Sequence, residues 1–180
     1  LRQDREAPAA RRAAPEVQGR NGIAVLELSA HSQTQLEGGV VCPGGGGEAA
    51  FHLARSWQMV GALNGCNLRG LKPGWTGDTT YYQVGPRWSA APASRWNPYV
   101  QLLAGGMKAT AENRDATRSF DVRGPALTAG AGLDLRLNPV VAIRVASLDY
   151  RRSWVPPLDG RDYSHSWAFS TGMVLRIGTW

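Results

Sequence analysis

Ser164-His165-Ser166-Trp167-Ala168-Phe169-Ser170-Thr171-Gly172-Met173-Val174-Leu175-Arg176-Ile177-Gly178 is the stretch that decides the fold. Its odd positions, from His165 through Phe169 and Met173 to Ile177, are mostly bulky and apolar. Its even positions are small or polar. Successive side chains of a strand point to opposite faces, so this period of two predicts one long two-sided β-strand. Residues 125–138 repeat the pattern, with Leu127, Ala129, Ala131, Leu133, Leu135 and Leu137 against Thr128, Gly130, Gly132, Asp134 and Arg136. The next segment starts the same way, Val141, Ile143 and Val145 opposing Ala142, Arg144 and Ala146. Beyond Ala146 the parity is lost, which suggests a bulge near Ser147–Asp149.

Working outward, eight such segments are counted, at roughly 23–31, 48–57, 58–68, 78–89, 97–111, 125–138, 140–152 and 164–178. Gly, Pro, Asn and Asp clusters divide them, and no helical period stands out. Short, regularly spaced strands predict a sandwich or a barrel. The 180 residues suffice for one such domain, and 43% hydrophobic content excludes a wholly disordered chain. No apolar run approaches the roughly 18 residues of a membrane-spanning helix, whereas barrel strands need only about 9–11 each. Residues 1–22, rich in Ala, Arg and Pro, cannot bury enough apolar surface to offset ordering entropy, and form a tail ahead of a domain at 23–180. That tail is read as solvated linker or as a docking segment that orders on a partner. Residues 1–20 contain no apolar signal-peptide core, so any secretion signal is expected to be absent from the chain as given.

Alternation does not say which face is inside. In a soluble barrel or sandwich the apolar face packs inward. Three features favour the reverse. The polar face is mostly Gly, Ala and Ser with a few long charged residues, which suits the crowded interior of a narrow barrel. Trp57, Trp88, Trp96 and Trp180 fall near one set of connections, and Trp75, Trp154, Tyr163 and Trp167 near the other, as membrane interfaces select. Connections near Trp57–Gln58, Ser89–Trp96 and Asn138–Pro139 are short. Those at 32–47, 69–77, 112–124 and 153–163 are longer, as in an outer-membrane barrel.

The chain resembles the small eight-stranded outer-membrane barrels of OmpA-like type over about residues 23–178. Met173-Val174-Leu175-Arg176-Ile177-Gly178 is similar to the terminal strand that this family presents to the barrel assembly machinery, with Met173, Leu175 and Ile177 as the signal. Ile177 stands where the family usually has an aromatic, and Trp180 lies beyond it. Tyr82-Gln83-Val84-Gly85-Pro86-Arg87-Trp88 and Asn97-Pro98-Tyr99 resemble neighbouring strands of these proteins. The resemblance implies an all-β, eight-stranded antiparallel up-and-down transmembrane barrel in a bacterial outer membrane, both termini periplasmic. No peptidoglycan-binding domain follows, so cell-wall anchoring is not implied.

With the apolar face outward, parity places Glu27, His52, Gln83, Arg87, Gln101, Asp134, Arg136, Arg144 and Arg176 in the lumen. Arginines then outnumber acids, and Glu27 and Asp134 are expected to accept hydrogen bonds from them, since an unpaired buried charge costs several kcal/mol. Cys42 and Cys66, the only cysteines, are expected to bridge in an exported protein. Their spacing is not that of a metal site, and no cofactor or metal is expected. Cys42-Pro43-Gly44-Gly45-Gly46-Gly47 lacks the Lys and Ser/Thr of a phosphate cradle and reads as a flexible loop. Ser164 and His165 are adjacent on a strand and point to opposite faces, so they form no catalytic pair. The arginines of 112–124 and 151–162 sit where they would meet phosphorylated lipid headgroups. The net charge of +6 is scattered, without the stripe that nucleic acid selects.

The expected role is therefore non-catalytic: a structural or docking barrel in an envelope assembly, its lumen filled by Arg, Asp and Glu. Expected partners are outer-membrane lipid, the barrel assembly machinery, and a protein bound by residues 1–22. A narrow pore or ligand-uptake barrel, a lipid-modifying barrel enzyme and a soluble lipocalin-like binder are the alternatives.

Overall fold

The computed structural model describes residues 24–68, 75–113, 119–157 and 162–179. The tail, Trp180 and parts of three long connections lie outside them. Eight strands follow in order: β1 (Ala24–Glu37), β2 (Val40–Ala54), β3 (Trp57–Leu68), β4 (Trp75–Ser89), β5 (Trp96–Asn113), β6 (Ser119–Arg136), β7 (Val141–Ser153) and β8 (His165–Thr179). Each pairs antiparallel with its sequence neighbour, and β1 pairs with β8, closing the barrel. Closure leaves no strand edge open.

The strands tilt. A row of register partners that starts at Leu28 near the bottom of β1 runs through Ala49, Gly61, Val84, Ala104, Leu127 and Arg152 to His165 at the top of β8. Residues joined by register thus stand at rising heights, as closing a barrel requires.

The apolar face looks outward. Phe51, Leu63, Val84, Val100, Leu148 and Phe169 are each at least half exposed, whereas Arg144 between Ile143 and Val145 is 1% exposed. This is the inverted arrangement. Trp57, Trp88 and Trp96 stand exposed at the short-turn end, with Trp57 opposite Trp88, and Trp154 and Trp167 stand exposed at the other. Met173, Leu175 and Ile177 also point outward. Tyr163 does not join the band. It is buried across the top of the lumen with Cys42, Cys66, Leu68, Tyr81 and Met107, its ring edge against Gly38. It lies in the segment leading into β8, where strand parity has not begun.

Three expectations about connections change. Residues 32–47 are not a loop: β1 and β2 run on to a two-residue turn at Gly38-Gly39, with φ of +55° and +77°. Two left-handed residues give the turn twist that matches a hairpin, and glycine adopts them without strain. Nor is Cys42–Gly47 a flexible loop. It lies in β2, in register with Gln35 through Ala30 of β1. A side chain at Gly44 would stand 2.6 Å from the Cys66 backbone, so the glycines record close strand approach. Likewise β5 and β6 extend into 112–124, to Asn113 and from Ser119.

The bulge lies between Arg144 and Ser147, slightly earlier than expected. Its extra residue flips parity, so Ser147, Asp149, Arg151 and Ser153 face inward above it.

Candidate functional site

Alternate residues of all eight strands converge on the lumen, and charges there are joined in three tiers. The central tier is built on Glu48 of β2. Its Oε2 accepts hydrogen bonds from Arg87 Nη2 and, at 2.6 Å, from Arg144 Nη1. Arg144 Nε also donates to Asp134 Oδ1 at 3.1 Å. Arg87 Nε and Nη2 donate to Gln101 Oε1 at 3.0 and 2.6 Å, and Gln101 passes a hydrogen bond to Asp149 at 3.1 Å. Tyr99 lies with its ring under both guanidiniums, 4.3 Å from Arg87 and 4.9 Å from Arg144. Planar, always-charged guanidiniums can donate to several acceptors and stack on a ring at once, which lysine cannot.

The lower tier joins Arg176 Nε to Glu27 Oε1 at 3.0 Å, Gln58 to the other Glu27 oxygen at 2.9 Å, and Gln58 to His52 at 3.0 Å. The upper tier centres on Glu37, which accepts from Tyr81 at 2.5 Å, Gln35 at 2.6 Å and Thr79 at 3.0 Å. Arg151 donates to Gln35 at 2.6 Å and Gln33 at 3.2 Å, and its Nη2 lies 3.8 Å from Asp149, which links this tier to the centre. An eight-strand interior has room for such side chains and little else.

The lumen positions expected from parity divide as follows. Glu27, His52, Gln83, Arg87, Gln101, Asp134, Arg144 and Arg176 are buried inside. Arg136 is half-buried at the short-turn mouth, where its guanidinium donates to the Pro92 and Ala93 carbonyls of the β4–β5 turn. Glu27 and Asp134 each meet one arginine nitrogen rather than a bidentate fork. The expected excess of arginine reverses: among the described residues, Arg87, Arg144, Arg151 and Arg176 are buried with Glu27, Glu37, Glu48, Asp134 and Asp149. The missed members had two causes. Glu37 and Glu48 flank the glycine run that reads as a loop, although Glu48 shares the inward parity of His52. Asp149 and Arg151 follow the bulge.

Cys42 and Cys66 form a disulfide linking β2 and β3, buried below the rim with Thr79 Oγ1 3.2 Å from Cys66 Sγ. Glu37 and the two sulfurs come within 4.8 Å of one another, but sulfurs bonded to each other offer no thiolate to a cation. His31 contacts Asn64 at 2.8 Å, and His165 points outward against Tyr150 and Arg152. Among the described residues no histidine has a serine partner in a hydrogen bond. Trp180 lies outside the described residues.

No protein-family model and no curated protein matches the sequence. Solved structures do match. Neisserial surface protein A covers 84% of this chain and 96% of its own at 11% identity, with a TM-score of 0.62. Ail, the attachment invasion locus protein of Yersinia pestis, covers 87% and 99% at 22% identity and a TM-score of 0.54. The outer membrane protein OprG from Pseudomonas aeruginosa covers 91% and 100% at 14% identity and a TM-score of 0.52. At these identities the likeness is one of fold, and the fold is that of small outer-membrane barrels.

Proposed function

We propose that this barrel spans a bacterial outer membrane as a closed, non-catalytic element with a structural or docking role. One observation supports the reading: an apolar outer wall surrounds a lumen crossed by the Arg87–Glu48–Arg144–Asp134 chain of ion pairs. Apolar side chains on the outside of a closed sheet are stable only in lipid or detergent. An eight-strand interior is wide enough for such side chains to fill it.

Three measurements test this. Extraction from membranes should require detergent, and the folded barrel should migrate differently from the heated chain on a gel. In planar bilayers neither the wild type nor the Arg136→Ala/Arg144→Ala variant should conduct. Steady anion-selective conductance in the wild type rejects the closed-barrel reading in favour of a pore.

The docking part of the proposal concerns the short-turn side. β1 begins there, Ala24 opposite Thr179, and residues 1–22 carry the Ala/Arg/Pro composition of a segment that orders on a partner. Both termini are then periplasmic. Deleting residues 1–21 is expected to release at least one co-purifying envelope protein; an unchanged set rejects the docking arm.

A further inference from the structure

We propose that the upper outward face of β7 and β8 docks the phosphorylated sugar headgroup of an outer-leaflet glycolipid, with Arg152 as its anion-binding residue. This rests on the membrane reading above. The outward column of β7 rises through Leu148, Tyr150, Arg152 and Trp154, and that of β8 through Phe169, Trp167 and His165. Leu148 stands opposite Phe169, Tyr150 opposite Trp167 and Arg152 opposite His165. The β7 column therefore passes from hydrocarbon to aromatic to cation, while the β8 column passes from Phe169 through Trp167 to the polar imidazole of His165. That sequence of chemistries matches acyl chain, interface and headgroup.

The side chains are arranged around one guanidinium. Tyr150 packs 4.9 Å from Trp167 and 5.9 Å from His165, ring centre to ring centre, and Arg152 lies 6.0 Å over the Trp154 ring. Arg152 Nη1 contacts His165 Nε2, and Tyr150 Oη contacts His165 Nδ1. An imidazole with its hydrogen on Nδ1 satisfies both, donating to the tyrosine and accepting from the arginine. One Arg152 nitrogen is thus positioned by protein, and no carboxylate among the described residues lies within ion-pair distance of it. Asp162, whose carboxylate feels the charge of Arg152, accepts the Ser164 amide hydrogen at 2.8 Å and makes no ion pair with the guanidinium. Arg152 is thus a cation held among rings. A guanidinium fork suits a phosphate, and exposed indole and phenol faces suit the apolar faces of a sugar.

The test uses the full chain refolded in detergent micelles and titrated with lipid A, dephosphorylated lipid A or phosphatidylglycerol, with bound lipid counted by native mass spectrometry. Lipid A should bind wild type at least about tenfold more tightly than either of the other two lipids. Arg152→Ala and Arg152→Gln should both lose about tenfold, while Arg95→Ala, at the short-turn end, should lose nothing. Equal binding by wild type and both Arg152 variants overturns the inference, as does binding that ignores the phosphates or that phosphatidylglycerol matches. A wild-type chain that shows no heat-modifiable migration in micelles overturns the membrane reading itself, which separates the two failures.

Discussion

Arg144 and Val145 are neighbours on β7, yet one is 1% exposed and the other 41%. The lumen holds its charges through chains of specific hydrogen-bonded partners. The outer wall holds its hydrocarbon through no particular partner at all. Loss of one group should therefore be severe inside and graded by depth outside. Inside, an orphaned charge has no water to turn to; outside, the cost of a polar group depends on how far it stands from the interface.

The largest effect is expected at Glu48. Glu48→Ala leaves Arg87 and Arg144 facing each other without their shared carboxylate, and should lower unfolding free energy in micelles by about 3–5 kcal/mol, read from urea titrations. Replacing Arg87, Glu48, Arg144 and Asp134 together with leucine should recover most of that loss, because no charge of the connected set is then left orphaned. If Glu48→Ala costs nothing, the lumen is wet and the contrast fails.

On the outer wall, Val100→Arg near mid-height should cost about 2–4 kcal/mol, and Val41→Arg near the rim about 0–1 kcal/mol. Equal costs would mean that the wall does not sit in a bilayer or micelle.

The disulfide lies on the lumen side of that contrast. It closes a separation of 24 residues, so Cys42→Ser/Cys66→Ser should cost about 3 kcal/mol by loop entropy, and less if β2 and β3 stay paired in the denatured chain. Thiol titration of the unfolded, unreduced protein should find no reactive thiol.

The smallest effect is expected at Asp121, exposed above the belt, where the hydrogen bond from Arg123 holds the carboxyl below its usual range. A lowered pKa means that its contribution is present above the ordinary carboxylate pKa and fades as pH falls below it. Asp121→Asn should leave unfolding at neutral pH unchanged within error, since water screens the pair. A measurable loss there would show that the rim is less solvated than its exposure implies.

How much of this was legible differs from strand to strand. β8 was readable nearly residue by residue, because bulky and small residues alternate without interruption and the strand has no bulge. β2 was not. Its Cys-Pro-Gly-Gly-Gly-Gly run has the composition of a loop, and only the neighbouring β1 and β3 backbones explain why side chains are excluded there. β7 was legible as far as Arg144, and Ala146, expected to face inward with it, already lies past the bulge. One unpaired residue then exchanged its faces and carried Asp149 and Arg151 into the lumen.

By itself the sequence determined the strand count, the inverted polarity of the wall and most lower and central lumen residues. Those follow from a period of two, which every strand imposes locally. Only the closed barrel decided which charges meet. Arg87, Glu48 and Arg144 come from β4, β2 and β7, and partnership across a lumen depends on shear, tilt and bulges summed around the whole sheet, which no local pattern encodes.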